Sequence, residues 1–117
     1  MLVGIDIENM SRFLDYEKAK DKIDKIFTVK EQEYFAKFKN SAPHIAGAFC
    51  AKEAVSKALK VGFYNGLTPI DIEILHGIKG EPYVNIEGKI EKFLEGRKVD
   101  ISISHSKDSA IAICIIS

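Results

Sequence analysis

The chain has only two cysteines, three prolines, no net charge and no apolar run long enough to cross a bilayer. Each shortage removes a class of protein. Cys50 and Cys114 are too few for a disulfide framework, and Cys114 lies inside an apolar run, so both are expected to be reduced, buried and inert. Seventeen Lys and Arg balance seventeen Asp and Glu, whereas a protein that coats nucleic acid carries a large basic excess. No nucleic-acid partner is expected. The same balance, with 46% hydrophobic residues, excludes disorder. Ala110–Ile116, the longest apolar stretch, is far below the ~20 residues of a membrane span. The chain reaches Asp6 with no basic segment before it, unlike a signal peptide. A soluble, cytoplasmic protein with no membrane partner is the expectation. Gly and Pro are scattered, with no linker, repeat or low-complexity tract, and no GxGxxG or Walker loop points to dinucleotide or P-loop chemistry. His44 and His76 have no zinc-like spacing.

What is present suits one domain covering residues 1–117, long enough to bury roughly two-thirds of its unfolded surface. Val3, Ile5 and Ile7 alternate with Gly4, Asp6 and Glu8, which predicts a first strand whose branched residues face the core and whose acids face away. Ile70, Ile72 and Ile74 alternate with Asp71 and Glu73 in the same manner, Tyr83–Ile86 is a shorter strand, and Ile101 and Ile103 alternate with Ser102 and Ser104. Ala110–Ile116 is expected to pair with that last strand as a hairpin. Helices are predicted over Phe13–Ile26, then from a Thr28/Glu31 capping box through Phe35 and Phe38, then from about Pro43 to Lys60 with Gly62 as the stop. A short fourth runs from Lys89 to Glu95 before Gly96. One strand, three helices and then mostly antiparallel strands define an α+β fold, an antiparallel sheet packed against helices.

The third helix carries the most information. Ala48, Ala51, Val55, Ala58 and Leu59 form one stripe expected to face the core, and Glu53 and Lys57 lie nearly opposite, four residues apart. Such a pair is either a solvated couple worth ~0.2–0.5 kcal/mol or a carboxylate and an ammonium aimed at a bound phosphate and its metal. Asp6 is either solvent-exposed or, with Glu53, half of a Mg²⁺ site that a phosphate-bearing substrate completes. Ser104, His105 and Ser106 close a strand. Neighbouring strand residues point to opposite sides, and no GxSxG surrounds them, so a serine hydrolase is not supported. A phosphate contact or a turn cap fits better. Arg12 reads as a surface residue.

Together these segments resemble the short holo-acyl-carrier-protein synthases of the 4′-phosphopantetheinyl transferase superfamily. Gly4-Ile5-Asp6-Ile7-Glu8 with Arg12 is similar to their opening GxDxxxxxR, and Phe27-Thr28-Val29-Lys30-Glu31 to their FTxxE. The segment from Phe49 to Lys57 resembles the hallmark (W/F)xxKEAxxK at every fixed position. Gly80-Glu81-Pro82 is similar to their GxP turn, and Ser102-Ile103-Ser104-His105 to their SxSH strand end.

The resemblance implies the fold of that superfamily and the transfer of 4′-phosphopantetheine from coenzyme A to a serine of an apo acyl carrier protein. Asp6 and Glu53 would hold Mg²⁺, and Lys57 would contact the coenzyme A pyrophosphate. His105 would lie against the nucleotide end, and Gly80 and Pro82 would wall the adenine. Arg12 would face the acidic recognition helix of the carrier protein. A homotrimer with active sites between subunits is implied as well. The base that takes the serine proton is either Glu53 or a metal-bound water. Many relatives carry Arg where this chain has Ala48, so either another base, Lys52, Lys60 or one from the next subunit, holds the 3′-phosphate, or coenzyme A binds more weakly. Idle coenzyme A binding and a purely structural oligomer are the competing readings, which catalysis and ligand-dependent stability would separate.

Overall fold

The computed structural model describes residues 1–61 and 66–117. Strand β1 (Leu2–Asn9) leads into two 3₁₀ turns, Met10–Phe13 and Tyr16–Lys18, and then helices α1 (Lys20–Ile26), α2 (Val29–Phe35) and α3 (Ala42–Leu59). A 3₁₀ turn at Pro69–Asp71 precedes β2 (Ile74–His76) and β3 (Pro82–Val84), followed by α4 (Ile90–Leu94), β4 (Val99–His105) and β5 (Ser109–Ile116). The main sheet is antiparallel in the order β1-β5-β4, and β2 and β3 form a separate two-stranded sheet. This is the expected α+β architecture.

The first strand faces the other way from its prediction. Val3, Ile5 and Ile7 are each more than half exposed, whereas Gly4 and Asp6 are turned toward α3 and buried. The reason is the closeness of the helix. A Cβ on Gly4 would collide with the Ala54 carbonyl oxygen and stand 2.6 Å from the Ala58 nitrogen, so only glycine admits α3 there. Opposite in the register are Cys114 to Gly4 and Ala112 to Asp6. Where α3 lies closest, the helix side of the sheet is therefore built from small residues, Gly4, Ala112 and Cys114, and the branched residues of β1 face the other side. Alternation identified the strand but not which of its faces the helix covers.

The helix α3 packs across the sheet and is buried around most of its circumference. Ala48, Ala51, Val55 and Ala58 are buried as expected, but Ala46, Cys50, Lys52, Ala54 and Ser56 are buried too, and Leu59 is only partly so. A central helix has no single stripe, which is why the amphipathic reading failed. Glu53 and Lys57 lie on its more open side, half-buried and exposed respectively. The helix ends with Lys60 in the left-handed region (φ 60°). The Gly62 stop lies outside the described residues.

Two other predicted elements are corrected. Residues 13–26 do not form one helix: Asn9 caps the first 3₁₀ turn through the Ser11 N–H (3.1 Å), and Phe13 and Tyr16 pack ring on ring (5.0 Å) in the core. Ala19 leaves helical geometry (φ −105°, ψ 66°), so only α1 is regular. Nor do Ile70, Ile72 and Ile74 form a strand together. Thr68 and Asp71 make a capping box around Pro69, and this turn chemistry overrides alternation until Ile74. The Thr28/Glu31 box at α2 is present as predicted, although that helix stops at Phe35.

Glu31 does more than cap. Its Oε1 also accepts from Lys52 Nζ (2.8 Å), and its Oε2 accepts from the Ile74 N–H (2.8 Å). Lys52, fully buried, donates further to the carbonyls of Pro69 (2.9 Å) and Ile72 (2.7 Å). One ammonium thus ties α3 to α2 and to the segment entering β2.

Candidate active site

Turning the acidic face of β1 inward brings it onto the open side of α3. Asp6 is 9% exposed, and its Oδ1 accepts from Lys57 Nζ at 3.0 Å. The same Nζ donates to the Ile5 carbonyl (3.1 Å). The other oxygen, Oδ2, is buried with no hydrogen-bond partner among the described residues. Glu53 stands one helical turn before Lys57, about 6 Å along the axis. Burial raises its carboxyl above the usual range, and the negative charge of Asp6 raises it further. Lys57 is raised chiefly by its hydrogen bond to Asp6.

Glu8, on the same face of β1, joins this cluster. Burial and then Asp6 push its carboxyl up to about 7, against the lowering effect of Arg12. Arg12 Nη1 donates to Glu8 Oε1 at 2.7 Å, and its guanidinium lies 4.7 Å over the Phe49 ring. Three carboxylates and two cations therefore share one surface. Glu8 was visible in the alternation as a neighbour of Asp6, and Phe49 as the aromatic of the hallmark helix, but neither spacing disclosed what they hold. Cys50 donates its thiol to the Ala110 carbonyl (3.3 Å), and burial, with Asp6 and Glu8 nearby, raises it to about 12. Burial does the same to Cys114. Both thiols are free and buried, as expected.

The donor set fits a hard divalent cation. A buried carboxylate oxygen without a partner is costly unless something binds it, and the mutual repulsion of Asp6 and Glu53 is what a cation between them would relieve. No group of three or more His, Cys, Asp or Glu among the described residues is arranged to hold a metal. Two carboxylates completed by water and substrate phosphate oxygens is the usual arrangement for Mg²⁺.

The remaining predicted residues stand apart. His105 is exposed at the end of β4, two strands away from β1, or about 10 Å. It lines a cavity with Met10, Asn40, Pro43 and Lys107. Gly80 and Pro82 belong to the β2–β3 hairpin, where Gly80 (φ 83°) donates its N–H to the Gly77 carbonyl at 2.9 Å. Ala48 is buried and cannot contact a ligand from its position. Within this chain the structure unites Asp6, Glu53, Lys57 and Arg12, and leaves His105, Gly80 and Pro82 on other surfaces.

The structure places Asp6, Glu53, Lys57 and Arg12 together on one face of an α+β domain. Residues 2–114 match the family model of the 4′-phosphopantetheinyl transferase superfamily, and the chain belongs to that family. A holo-[acyl-carrier-protein] synthase of Clostridium botulinum (strain Alaska E43) is 44% identical over 117 residues, 97% of this chain and 94% of the relative. One from Caldanaerobacter subterraneus subsp. tengcongensis is 40% identical over 119 residues, 98% of this chain and 93% of the relative. The solved structure of the Helicobacter pylori holo-[acyl-carrier-protein] synthase in complex with coenzyme A superposes with a TM-score of 0.84 at 31% identity, covering 99% of this chain and all of the other.

Proposed function

We propose that this chain is a holo-[acyl-carrier-protein] synthase: it transfers 4′-phosphopantetheine from coenzyme A to a serine of an apo acyl carrier protein and releases adenosine 3′,5′-bisphosphate. Residues 1–117 act as one transferase domain in the cytoplasm. No helix among the described residues is long and apolar enough to cross a membrane. The observation that carries the reading is the buried, unpartnered Asp6 Oδ2 beside Glu53 and Lys57.

Asp6 and Glu53 would hold Mg²⁺, which when bound supplies Lewis-acid neutralisation of the pyrophosphate charge. Lys57, exposed and attached among the described residues through Asp6 and a carbonyl, adds a second positive charge for the same phosphates. The serine oxygen attacks the phosphorus nearer the pantetheine. The bridging P–O bond breaks, and its electrons leave with adenosine 3′,5′-bisphosphate. The serine proton must go to a base, and the Glu53 carboxylate, half-buried on the open side of α3, would accept it. Positioning and charge carry such a reaction more than covalent chemistry does.

A homotrimer explains two further features. The outer sheet face carries Val3, Ile5, Ile7, Ile111 and Ile113, all exposed, beside Ser102 and Ser104, an apolar patch of the kind that marks a subunit interface. An active site between subunits would also bring a neighbour's His105, Gly80 and Pro82 to the nucleotide, where His105 meets its phosphate and the hairpin walls the adenine. Ile5→Asp should therefore shift the mass in light scattering from trimer to monomer and remove activity. An active monomer would contradict the shared site.

The reaction itself is tested by intact-mass spectrometry of an apo acyl carrier protein after incubation with the enzyme, coenzyme A and Mg²⁺, beside an EDTA control. A gain of one phosphopantetheine that EDTA abolishes is expected. Stabilisation by coenzyme A without any mass gain across several carriers would instead make this a non-catalytic binding module.

A further inference from the structure

Arg12 is held in place more firmly than an exposed arginine needs to be. Its side chain is 51% exposed, yet Nη1 is fixed to Glu8, whose own side chain is only 15% exposed. The guanidinium lies over two rings, 4.7 Å from Phe49 and 5.5 Å from Phe13, which are 6% and 1% exposed and 5.5 Å from each other. The backbone beneath is anchored too. The Met10 N–H donates to the Asp108 carbonyl (2.8 Å), and Asn9 caps the turn that carries Arg12. One edge of the guanidinium faces Glu8, its flat side rests on aromatic rings, and among the described residues the other N–H groups have no hydrogen-bond partner.

We propose that Glu8 is a positioning residue for the carrier protein: with the Phe49 ring beneath, its carboxylate fixes the Arg12 guanidinium so that the free edge is presented to an acidic partner. This rests on the reading of Arg12 as partner-facing. An unanchored arginine samples many rotamers and must be ordered when the partner docks, whereas a guanidinium already held has lost that freedom beforehand. Glu8 also acts against the complex, because a carboxylate near an acidic helix repels it. Anchoring outweighs repulsion here because the charge of Glu8 is compensated within the pair and sits on the buried side of Arg12.

The opposing effects make the test decisive. KM for the carrier protein and KM for coenzyme A are measured at saturating Mg²⁺ for Glu8→Ala, Glu8→Gln, Arg12→Ala and the double variant Glu8→Ala/Arg12→Ala. Glu8→Ala is expected to raise KM for the carrier about five- to tenfold, a larger change than in KM for coenzyme A. Glu8→Gln, which still accepts from Arg12, should recover most of that loss, and the double variant should be no worse than Arg12→Ala. A lower carrier KM in both Glu8 variants would show that repulsion dominates and would overturn the proposal. So would equal changes in both KM values alongside a lower melting temperature, which mark a general structural role. If Arg12→Ala leaves the carrier KM unchanged, the partner-facing reading of Arg12 itself fails. If Arg12→Ala raises it and Glu8→Ala does not, only the role of Glu8 fails.

Discussion

Asp6→Ala and Glu53→Ala are each expected to lower phosphopantetheine transfer by at least about 10²–10³-fold, the scale seen when a preorganised charge is removed from a reacting phosphate or oxyanion. The loss should come without unfolding, and for Asp6 with a gain in stability. Its Oδ2 is buried and unpartnered, a state that destabilises a fold by about 1–3 kcal/mol, so the apo protein holds a strained carboxylate whose removal is a relief. The neighbour across the sheet is Ala112, small enough that alanine at position 6 meets no steric conflict. Lys57 keeps the Ile5 carbonyl as a partner and is exposed enough to be solvated. The melting temperature of Asp6→Ala should therefore equal or exceed that of the wild type while its activity collapses, the trade-off expected where a site is built for a ligand rather than for the fold. A second readout separates metal binding from catalysis. Mg²⁺ with coenzyme A should raise the melting temperature of the wild type and fail to raise that of either variant. Wild-type rates in either variant would remove the metal-site assignment.

Much of this site could be read from local pattern. The Thr28/Glu31 box, the outward Ser102 and Ser104, and Glu53 four residues before Lys57 are short-range features, and each appears where the spacing places it. What failed was information held between elements. Nothing within residues 2–9 says that a helix will lie against Gly4 closely enough to forbid a side chain, and that approach decides which face Asp6 occupies. Two apolar faces on one sheet break the rule that branched residues go inward, since Val3, Ile5 and Ile7 stay exposed while Gly4 and Asp6 face α3. Ile70, Ile72 and Ile74 alternate as a strand would, yet the Thr68–Asp71 cap and the demands of a buried ammonium on the Pro69 and Ile72 carbonyls bend the chain first. Lys52 was weighed as a surface base for a phosphate. Its burial beneath α2 is invisible to a helical wheel, which assigns a lysine to solvent by default.

That buried lysine supports the second large prediction. Lys52→Met should destabilise the protein by about 3–5 kcal/mol, the range for removing one partner of a buried ion pair. Methionine matches the stem but removes a charged donor from Glu31 Oε1 and from the carbonyls of Pro69 and Ile72 at once. Oε1 keeps the Thr28 N–H and the Pro69 carbonyl keeps the Ile72 N–H, so the Ile72 carbonyl is left without a donor among the described residues. Glu31 cannot escape, since its side chain is 1% exposed and also holds the Thr28 and Ile74 N–H groups. Burial raises the Glu31 carboxyl and lowers the Lys52 ammonium, and in each case desolvation is the largest influence. The pair therefore contributes placement more than net stability, which predicts the outcome of a second variant. Lys52→Met combined with Glu31→Gln removes both charges and keeps a capping residue at α2. It should recover part of the single-variant loss but not all of it, because the Ile72 carbonyl stays without a donor and the Pro69 carbonyl loses one of its two. Urea unfolding at one fixed protein concentration measures both variants. A loss under about 1 kcal/mol for Lys52→Met would mean that water replaces the ammonium and that α3 is oriented by apolar packing alone. A double variant weaker than the single one would mean that Glu31, rather than the pair, holds the junction. Glu53 follows Lys52 directly on α3. If the junction orients that helix, the double variant should regain stability more fully than kcat.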